Sequence, residues 1–258
     1  MKIKCLHFVA WVYALSLLSA CTSSAKCVHY EITQAEGRMI PMDKRWDRNP
    51  HPAAMELLSN YKASLDKTMG EVIGHSRKAM KKGSPESLLS NFLTDALRES
   101  AGRLYGRPVD MALLNLGGLR TSLPRGGITV GMIYEVLPFD NKVCVLTLRG
   151  TDIQRLCAGI ARSGGEGVSG LRMDISRTGK LLRVEIGGLP LQPDKLYTLA
   201  TLDFLAEGND GMTALMQAQK NVLISSEPVR ALIIDHIRRL TAEGRPLQSQ
   251  MDGRISVR

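Results

Sequence analysis

Val109-Asp110-Met111-Ala112-Leu113-Leu114-Asn115-Leu116-Gly117-Gly118-Leu119-Arg120 is the stretch on which the reading of this 258-residue chain turns. Its first half is an apolar run fit for a buried strand. The run ends in an Asn, two glycines and an Arg, so polar groups gather at the strand's carboxyl edge. Paired glycines let backbone approach a bound group, because no Cβ stands in the way. An Arg just beyond presents a planar fork suited to phosphate or carboxylate. The pattern predicts a ligand-binding corner on a sheet edge.

Working outward, two more corners share this character. Leu137-Pro138-Phe139-Asp140-Asn141 precedes the alternating strand Lys142–Leu148, and Lys195–Leu205 is read as a strand running into Glu207-Gly208-Asn209-Asp210-Gly211. Phe139 and Phe204 are two of the chain's four Phe, and each falls at a strand or loop edge. Two rings on separate loops can sandwich a flat heterocycle, at about 1–3 kcal/mol per stacked ring. Asp210, between glycines, can accept hydrogen bonds from a pair of ribose hydroxyls, as acids do in dinucleotide sites.

The surrounding pattern predicts an α+β fold, a mixed β-sheet with flanking helices, because strands outnumber crossover-length helices and hairpins recur. Helices are expected over Ala53–Lys67, from Ser84-Pro85-Glu86 with Ser84 as N-cap and Pro85 in the first turn, from Gly150 through Ala161, over Met212–Gln219, and from Ser226-Glu227-Pro228 to about Ala242. Leu171–Ile175 and Leu182–Ile186 flank Arg177-Thr178-Gly179-Lys180 as a hairpin. Ser163–Gly167 reads as a glycine-rich loop, Cys27–Ile32 as a short strand, and Pro41–Pro52 as a linker or surface loop.

Composition narrows the classes. A formal charge of +9 is spread along the chain, and only 5% of residues are aromatic, so the basic-aromatic stripe of a nucleic-acid binder is missing from the sequence. Lys2 and Lys4 precede an apolar run, Leu6 to Leu18, too short for a spanning helix. It ends Leu18-Ser19-Ala20-Cys21, which resembles a bacterial lipobox and implies cleavage before Cys21 and lipidation of that residue. The expected organisation is therefore a signal peptide over 1–20, a lipidated Cys, tether and short extension over 21–50, and one domain over 51–258. Cys27, Cys144 and Cys157 are an odd set without paired spacing, so neither a disulfide framework nor a zinc site is expected, and the last two fit core positions. No two of His29, His51, His75 and His236 stand at ligand spacing, and no nucleophile elbow or Walker loop is present. No catalytic residue and no metal ligand is assigned.

Taken together, the corners resemble the C-terminal domain of the 5′-nucleotidase / UDP-sugar hydrolase / 2′,3′-cyclic phosphodiesterase family. Asn115–Arg120 is similar to that family's Asn-x-Gly-Gly-Ile-Arg, Pro138–Asn141 to its Pro-Phe-x-Asn, Val168–Leu171 to its Ser-Gly-Leu strand start, and Asp203–Gly211 to its Asn-Phe-Leu-Ala-x-Gly-Gly-Asp-Gly. Ile73–Ser76 and Glu86–Ala96 resemble its opening motifs, and the match runs in order from about residue 53 to 240. The resemblance implies that Phe139 and Phe204 stack a nucleobase, Asn115 meets the base or the phosphate region, Arg120 the phosphate, and Asp210 the ribose. Gly117, Gly118, Asn141 and Gly208 belong to the same implied substrate-binding set. Departures are Asp203 for Asn, Ser90 for Gly, and Asn209 for a Gly, the last expected to sit at positive φ. An Arg before the Glu-Ser helix is replaced by Gly83, beside Lys82.

In that family the metals and the catalytic His-Asp pair belong to an N-terminal metallophosphoesterase domain. The expectation is a recognition half that acts in nucleotide catabolism with a metallophosphoesterase subunit carrying the divalent metals, lipid-anchored on the periplasmic face of a bacterial membrane, the outer one by the Thr22 after Cys21. A nucleoside- or nucleotide-binding lipoprotein without enzymatic role, and a decayed domain kept for assembly, are the alternatives.

Overall fold

The computed structural model describes residues 31–258 except 32, 35, 42, 46 and 47. The signal peptide, Cys21 and the short strand expected over Cys27–Ile32 lie outside the described residues or reach beyond them. Two units separate, residues 1–52 and 53–258. The described part of the first is irregular and exposed, with a local Arg45–Asp43 ion pair at 2.8 Å.

In the second, a five-stranded mixed sheet forms the centre: β2 (Met111–Leu114), β4 (Lys142–Arg149), β5 (Gly167–Ser169), β9 (Leu196–Leu202) and β10 (Lys220–Pro228), in the order β10-β4-β9-β2-β5. β2 runs parallel to β9; every other neighbour in this sheet is antiparallel. β1 (Val72–Ser76) pairs with β3 (Gly126–Thr129). A third sheet holds β6 (Leu171–Ile175), β7 (Leu181–Ile186), β8 (Leu189–Pro190) and β11 (Ile255–Val257). β11 lies in a segment the sequence pattern did not mark as a strand. The architecture is α+β, as expected.

Helix α1 spans Pro52–Met69 and α2 Leu88–Tyr105. The others are α3 (Val130–Val136), α4 (Gly150–Ser163), the single turn α5 (Asp203–Ala206) and α6 (Val229–Ala242). α2 and α6 pack on each other, α2 also covers β2 and β5, and α4 covers β4 and β7. The core is aliphatic: β2 is buried along its length, and Leu93, Leu97, Ile133, Val145, Ile153 and Ile233 are fully enclosed. Cys144 and Cys157 are buried free thiols in this core, and burial pushes each up to about 12.

Several local expectations need correction. Helix α2 begins at Leu88, capped by Ser87, and not at Pro85; the Ser84–Pro85 peptide is cis. Ser87 Oγ accepts the Ser90 amide and Ser90 Oγ accepts the Ser87 amide, both at 3.1 Å, a reciprocal cap that explains Ser90 in place of Gly. Glu86 instead accepts bonds from the Asn91 side chain and from the Asp252 and Arg254 amides, tying down the C-terminal segment. β9 stops at Leu202, and the expected helix over Met212–Gln219 is a 3-10 segment, Thr213–Gln217.

Candidate functional site

Strand directions gather the site. β2 and β9 are parallel neighbours, so both carboxyl ends leave the sheet on one edge. β4 is antiparallel to β9, with Val143 opposite Leu202, so its start lies on that edge too. β5 enters there as well, with Gly167 opposite Leu114. Four loops of distant sequence position thus converge: 115–120, 137–141, 163–166 and 203–211. Ligands of open sheets commonly bind at such carboxyl edges.

The cleft between them encloses about 320 Å³, small but within the usual range for ligand pockets, about 300–1,000 Å³. Phe139 and Phe204 line it, together with Arg120 and Asp210. Asn115, Asn141, Gly117 and Gly118 complete the walls. Below lies a narrow apolar recess of Leu114, Leu119, Leu137, Leu202 and Val229. Of the substrate-binding residues assigned from sequence, Gly208 alone stands off the walls. Its φ of 88° turns the loop, and a Cβ there would meet Met216 Sδ at 2.6 Å. It shapes the site without facing it.

Each side chain is held by identifiable bonds. Buried Asn115 donates through Nδ2 to Asp210 Oδ2 at 2.5 Å, joining corners 95 residues apart and leaving Asp210 Oδ1 for a ligand. Gly118 is required where it stands: a Cβ would come within 2.9 Å of Asn115 Oδ1. Asp203, the departure from Asn, accepts the Lys142 amide at 3.0 Å and the Phe204 amide at 2.8 Å. Those bonds end β9, start the turn that presents Phe204, and tie it to the segment after Phe139. Asn209 Nδ2 donates to the Phe204 carbonyl at 2.8 Å. The expectation that Asn209 occupies positive φ is incorrect: the left-handed residues are Gly208, Asp210 and Gly211, and Asp210, at φ 52°, is the only non-glycine among them. Asn209 is there for its side-chain amide.

Arg120 is exposed, donates to the Gly117 carbonyl at 3.2 Å, and has no acidic partner among the described residues. Lys82 Nζ donates to the Leu119 carbonyl at 2.9 Å, next to Arg120 in the chain. A second cation therefore stands against the Leu119–Arg120 segment, although the expected Arg is replaced and Lys82 is not among the residues that line the cleft. Two residues escaped the sequence reading. Arg230, on α6, donates to the Phe139 carbonyl at 2.9 Å and pairs with Asp140, while its guanidinium lies 4.6 Å from the centre of the Tyr134 ring. Glu166 accepts the Leu116 amide at 2.6 Å. Burial pushes its carboxyl above the ordinary glutamate value, the Leu116 bond opposes that, and the Asp210 charge adds to it. Neither residue belongs to a local pattern; both reach the site through tertiary packing.

Among the described residues no group of three His, Cys, Asp or Glu side chains stands together to hold a metal ion. The divalent metals that the resemblance implies do not fit the residues of this cleft, which is built of rings, amides and cations with single acids.

The mixed sheet thus carries, at one edge, a cleft lined by two rings, an acid and an exposed Arg. Residues 68–217 match the 5′-nucleotidase, C-terminal domain family, and the chain belongs to it. It is 32% identical over 169 residues to Protein UshA of Yersinia enterocolitica, covering 62% of this chain and 30% of that protein. It is also 31% identical over 185 residues to Cell wall protein Lmo0130 of Listeria monocytogenes, covering 66% of this chain and 23% of the relative. The 5′-nucleotidase precursor from Thermus thermophilus superposes with a TM-score of 0.68 at 31% identity, over 80% of this chain and 43% of the other. The chain thus spans less than half the length of each of these relatives.

Proposed function

We propose that this domain is the nucleotide-recognition half of a periplasmic 5′-nucleotidase-type phosphohydrolase. One observation carries the reading: Phe139, Phe204, Asp210 and Arg120, from three separate corners, line a single cleft. The rings hold the base between their faces. Asp210 Oδ1 accepts from the ribose hydroxyls, with its other oxygen fixed by Asn115. Arg120, with Lys82 behind it, takes the phosphate at the outer end. This fixes the phosphorus in place, and positioning of that kind is itself a large part of catalysis. A metallophosphoesterase subunit supplies the divalent metals that activate water. The length of the relatives beyond the matched region supports a larger functional unit.

The same reading places the chain on the periplasmic face of the outer membrane through a lipid on Cys21. The likeness to a cell wall protein supports an extracytoplasmic setting, and no helix among the described residues is long and apolar enough to cross a membrane.

Calorimetry with adenosine and AMP tests recognition, and the expected result is binding of both, with AMP tighter. An AMP-hydrolysis assay with Mn²⁺ or Co²⁺ should read zero for the purified chain and rise when the metallophosphoesterase is added. Turnover by the chain alone overturns the division of labour. Binding without a co-purifying hydrolase favours the alternative, a nucleotide-binding lipoprotein without enzymatic role.

A further inference from the structure

The glycine-rich loop 163–167 is one of the four that converge on the cleft, and its backbone is closely constrained. Gly164 and Gly165 adopt φ of 85° and 122°, conformations that favour glycine. A Cβ on Gly165 would lie 2.6 Å from Pro85 Cα, and one on Gly167 would lie 3.1 Å from the Leu114 carbonyl oxygen. Ser84 Oγ donates to the Gly164 carbonyl at 2.6 Å, pinning the loop from the opposite side. The residue presented between these glycines is Glu166, and it reaches the Leu116 amide at 2.6 Å across 50 positions of sequence.

We propose that Glu166 is a positioning residue for the nucleotide cleft, gripping the Leu116 amide so that the Asn115–Gly118 turn holds the shape that binds ligand. The inference rests on the nucleotide reading of that cleft. Asn115 and Leu116 are adjacent, and each bonds a different acid: Asn115 through its side chain to Asp210, Leu116 through its backbone to Glu166. The turn is held from two sides, and Gly117 and Gly118 follow it directly into the cleft wall. Without Glu166 the Leu116 amide has no protein acceptor in this arrangement, and two consecutive glycines leave the turn free to rearrange.

The grip is charge-assisted only while Glu166 is ionised. Asp210 is the charged group that faces it, and burial and Asp210 both push it above its ordinary value of 4.5. Ser84, Pro85, Thr94 and Leu114, which pack on the loop, are uncharged. As pH falls through this raised value Glu166 takes up a proton, the bond to Leu116 weakens, and ligand affinity falls with it.

The test compares wild type, Glu166→Gln and Glu166→Ala. Gln retains a carbonyl acceptor for Leu116 but cannot titrate. Adenosine affinity measured by calorimetry from pH 7.5 to 5 should weaken in wild type towards the acid end and stay level in Glu166→Gln. Glu166→Ala should bind roughly tenfold more weakly at pH 7.5, with an unchanged circular dichroism spectrum. In ligand-free protein, the Leu116 amide resonance should titrate above the ordinary glutamate value in wild type and not in Glu166→Gln. Equal adenosine affinity of wild type and Glu166→Ala, or a Leu116 amide that does not titrate in wild type, overturns the proposal. If wild type binds neither adenosine nor AMP, the nucleotide reading fails, and the amide titration still decides whether Glu166 holds the turn.

Discussion

Arg230 holds Phe139 by its backbone and not by its ring: the guanidinium donates to the Phe139 carbonyl at 2.9 Å from the first turn of α6. The Arg230 side chain is 12% exposed, whereas Asp140, its ion-pair partner, is 79% exposed. The ion pair therefore adds little, and the carbonyl bond and the stack on Tyr134 fix the loop. Arg230→Ala should lower adenosine affinity about three- to tenfold and cost about 1 kcal/mol of stability, although the residue is not a cleft wall. Calorimetry and a thermal melt check both; unaltered affinity would show that the Phe139 loop keeps its place unaided.

The two rings should separate in their effects. Phe139 is 49% exposed, so Phe139→Ala should weaken base binding by about 1–3 kcal/mol and leave the melting temperature nearly unchanged. Phe204 is half-buried against the core, so Phe204→Ala should cost similar affinity and, in addition, about 1–2 kcal/mol of folding stability from its lost apolar contacts. Adenosine titrations beside urea unfolding of each variant distinguish the two. Equal stability losses would contradict the burial difference.

The corners were legible in sequence because each is local: an apolar run, a ring or charge, and glycines within a few residues of one another. Their meeting in one cleft is a property of strand order. Nothing in the run Met111–Leu114 states that β9 lies parallel beside it, or that β4 enters from the same edge. Arg230 and Glu166 were invisible for the same reason, since each acts through a backbone atom tens of residues away. The misread helix start shows a different limit. Ser84-Pro85-Glu86 and Ser87-Leu88-Leu89-Ser90 both carry capping chemistry, and only the reciprocal Ser87–Ser90 bonds decide between them. Asn209 and Asp210 were interchanged in conformation because either residue tolerates positive φ, and the Phe204 carbonyl claims the Asn209 amide.

Phosphate recognition should divide between Arg120 and Lys82. Among the described residues Arg120 has no acid to neutralise it and Lys82 bonds a backbone carbonyl, so both charges remain for an anion. Arg120→Gln should reduce AMP affinity on the order of tenfold while leaving adenosine affinity within about twofold. Lys82→Gln should act in the same direction and less strongly, and added salt should shrink both differences. Parallel AMP and adenosine titrations provide the check; an equal loss for both ligands would place Arg120 on the base or ribose.

Gly170 and Gly106 make a matched pair for the cost of a side chain. Both have positive φ, 71° and 76°, but a Cβ on Gly170 would lie 2.1 Å from the Asp110 carbonyl oxygen, whereas nothing stands within 4 Å of one on Gly106. Gly106→Ala should therefore cost only the left-handed strain, about 1 kcal/mol. Gly170→Ala, between β5 and β6, adds a clash with the Asp110 backbone ahead of β2 and should cost roughly 3 kcal/mol or more. Chemical denaturation of both variants measures the difference.

Stability should fall on mild acidification because of His236. The ring is 5% exposed on α6, edge-on to Phe92 at 6.2 Å between centroids. Burial depresses its affinity for a proton below the ordinary value of 6.5; Glu99, 3.7 Å away, opposes this, and Arg239, Arg103 and Arg245 add to it. A base whose value is lowered on folding contributes its stability above the unfolded value and loses it as pH falls through the folded one. Between pH 7.5 and the range below 6.5 the melting temperature should therefore decline, and His236→Gln, which carries no titrating ring, should flatten that decline while lowering the melting temperature at pH 7.5. Melts at several pH values decide it. A wild-type curve that is level from pH 7.5 to 5 would mean that the Glu99 charge cancels the effect of burial, and one that Gln leaves equally steep would place the decline on another group.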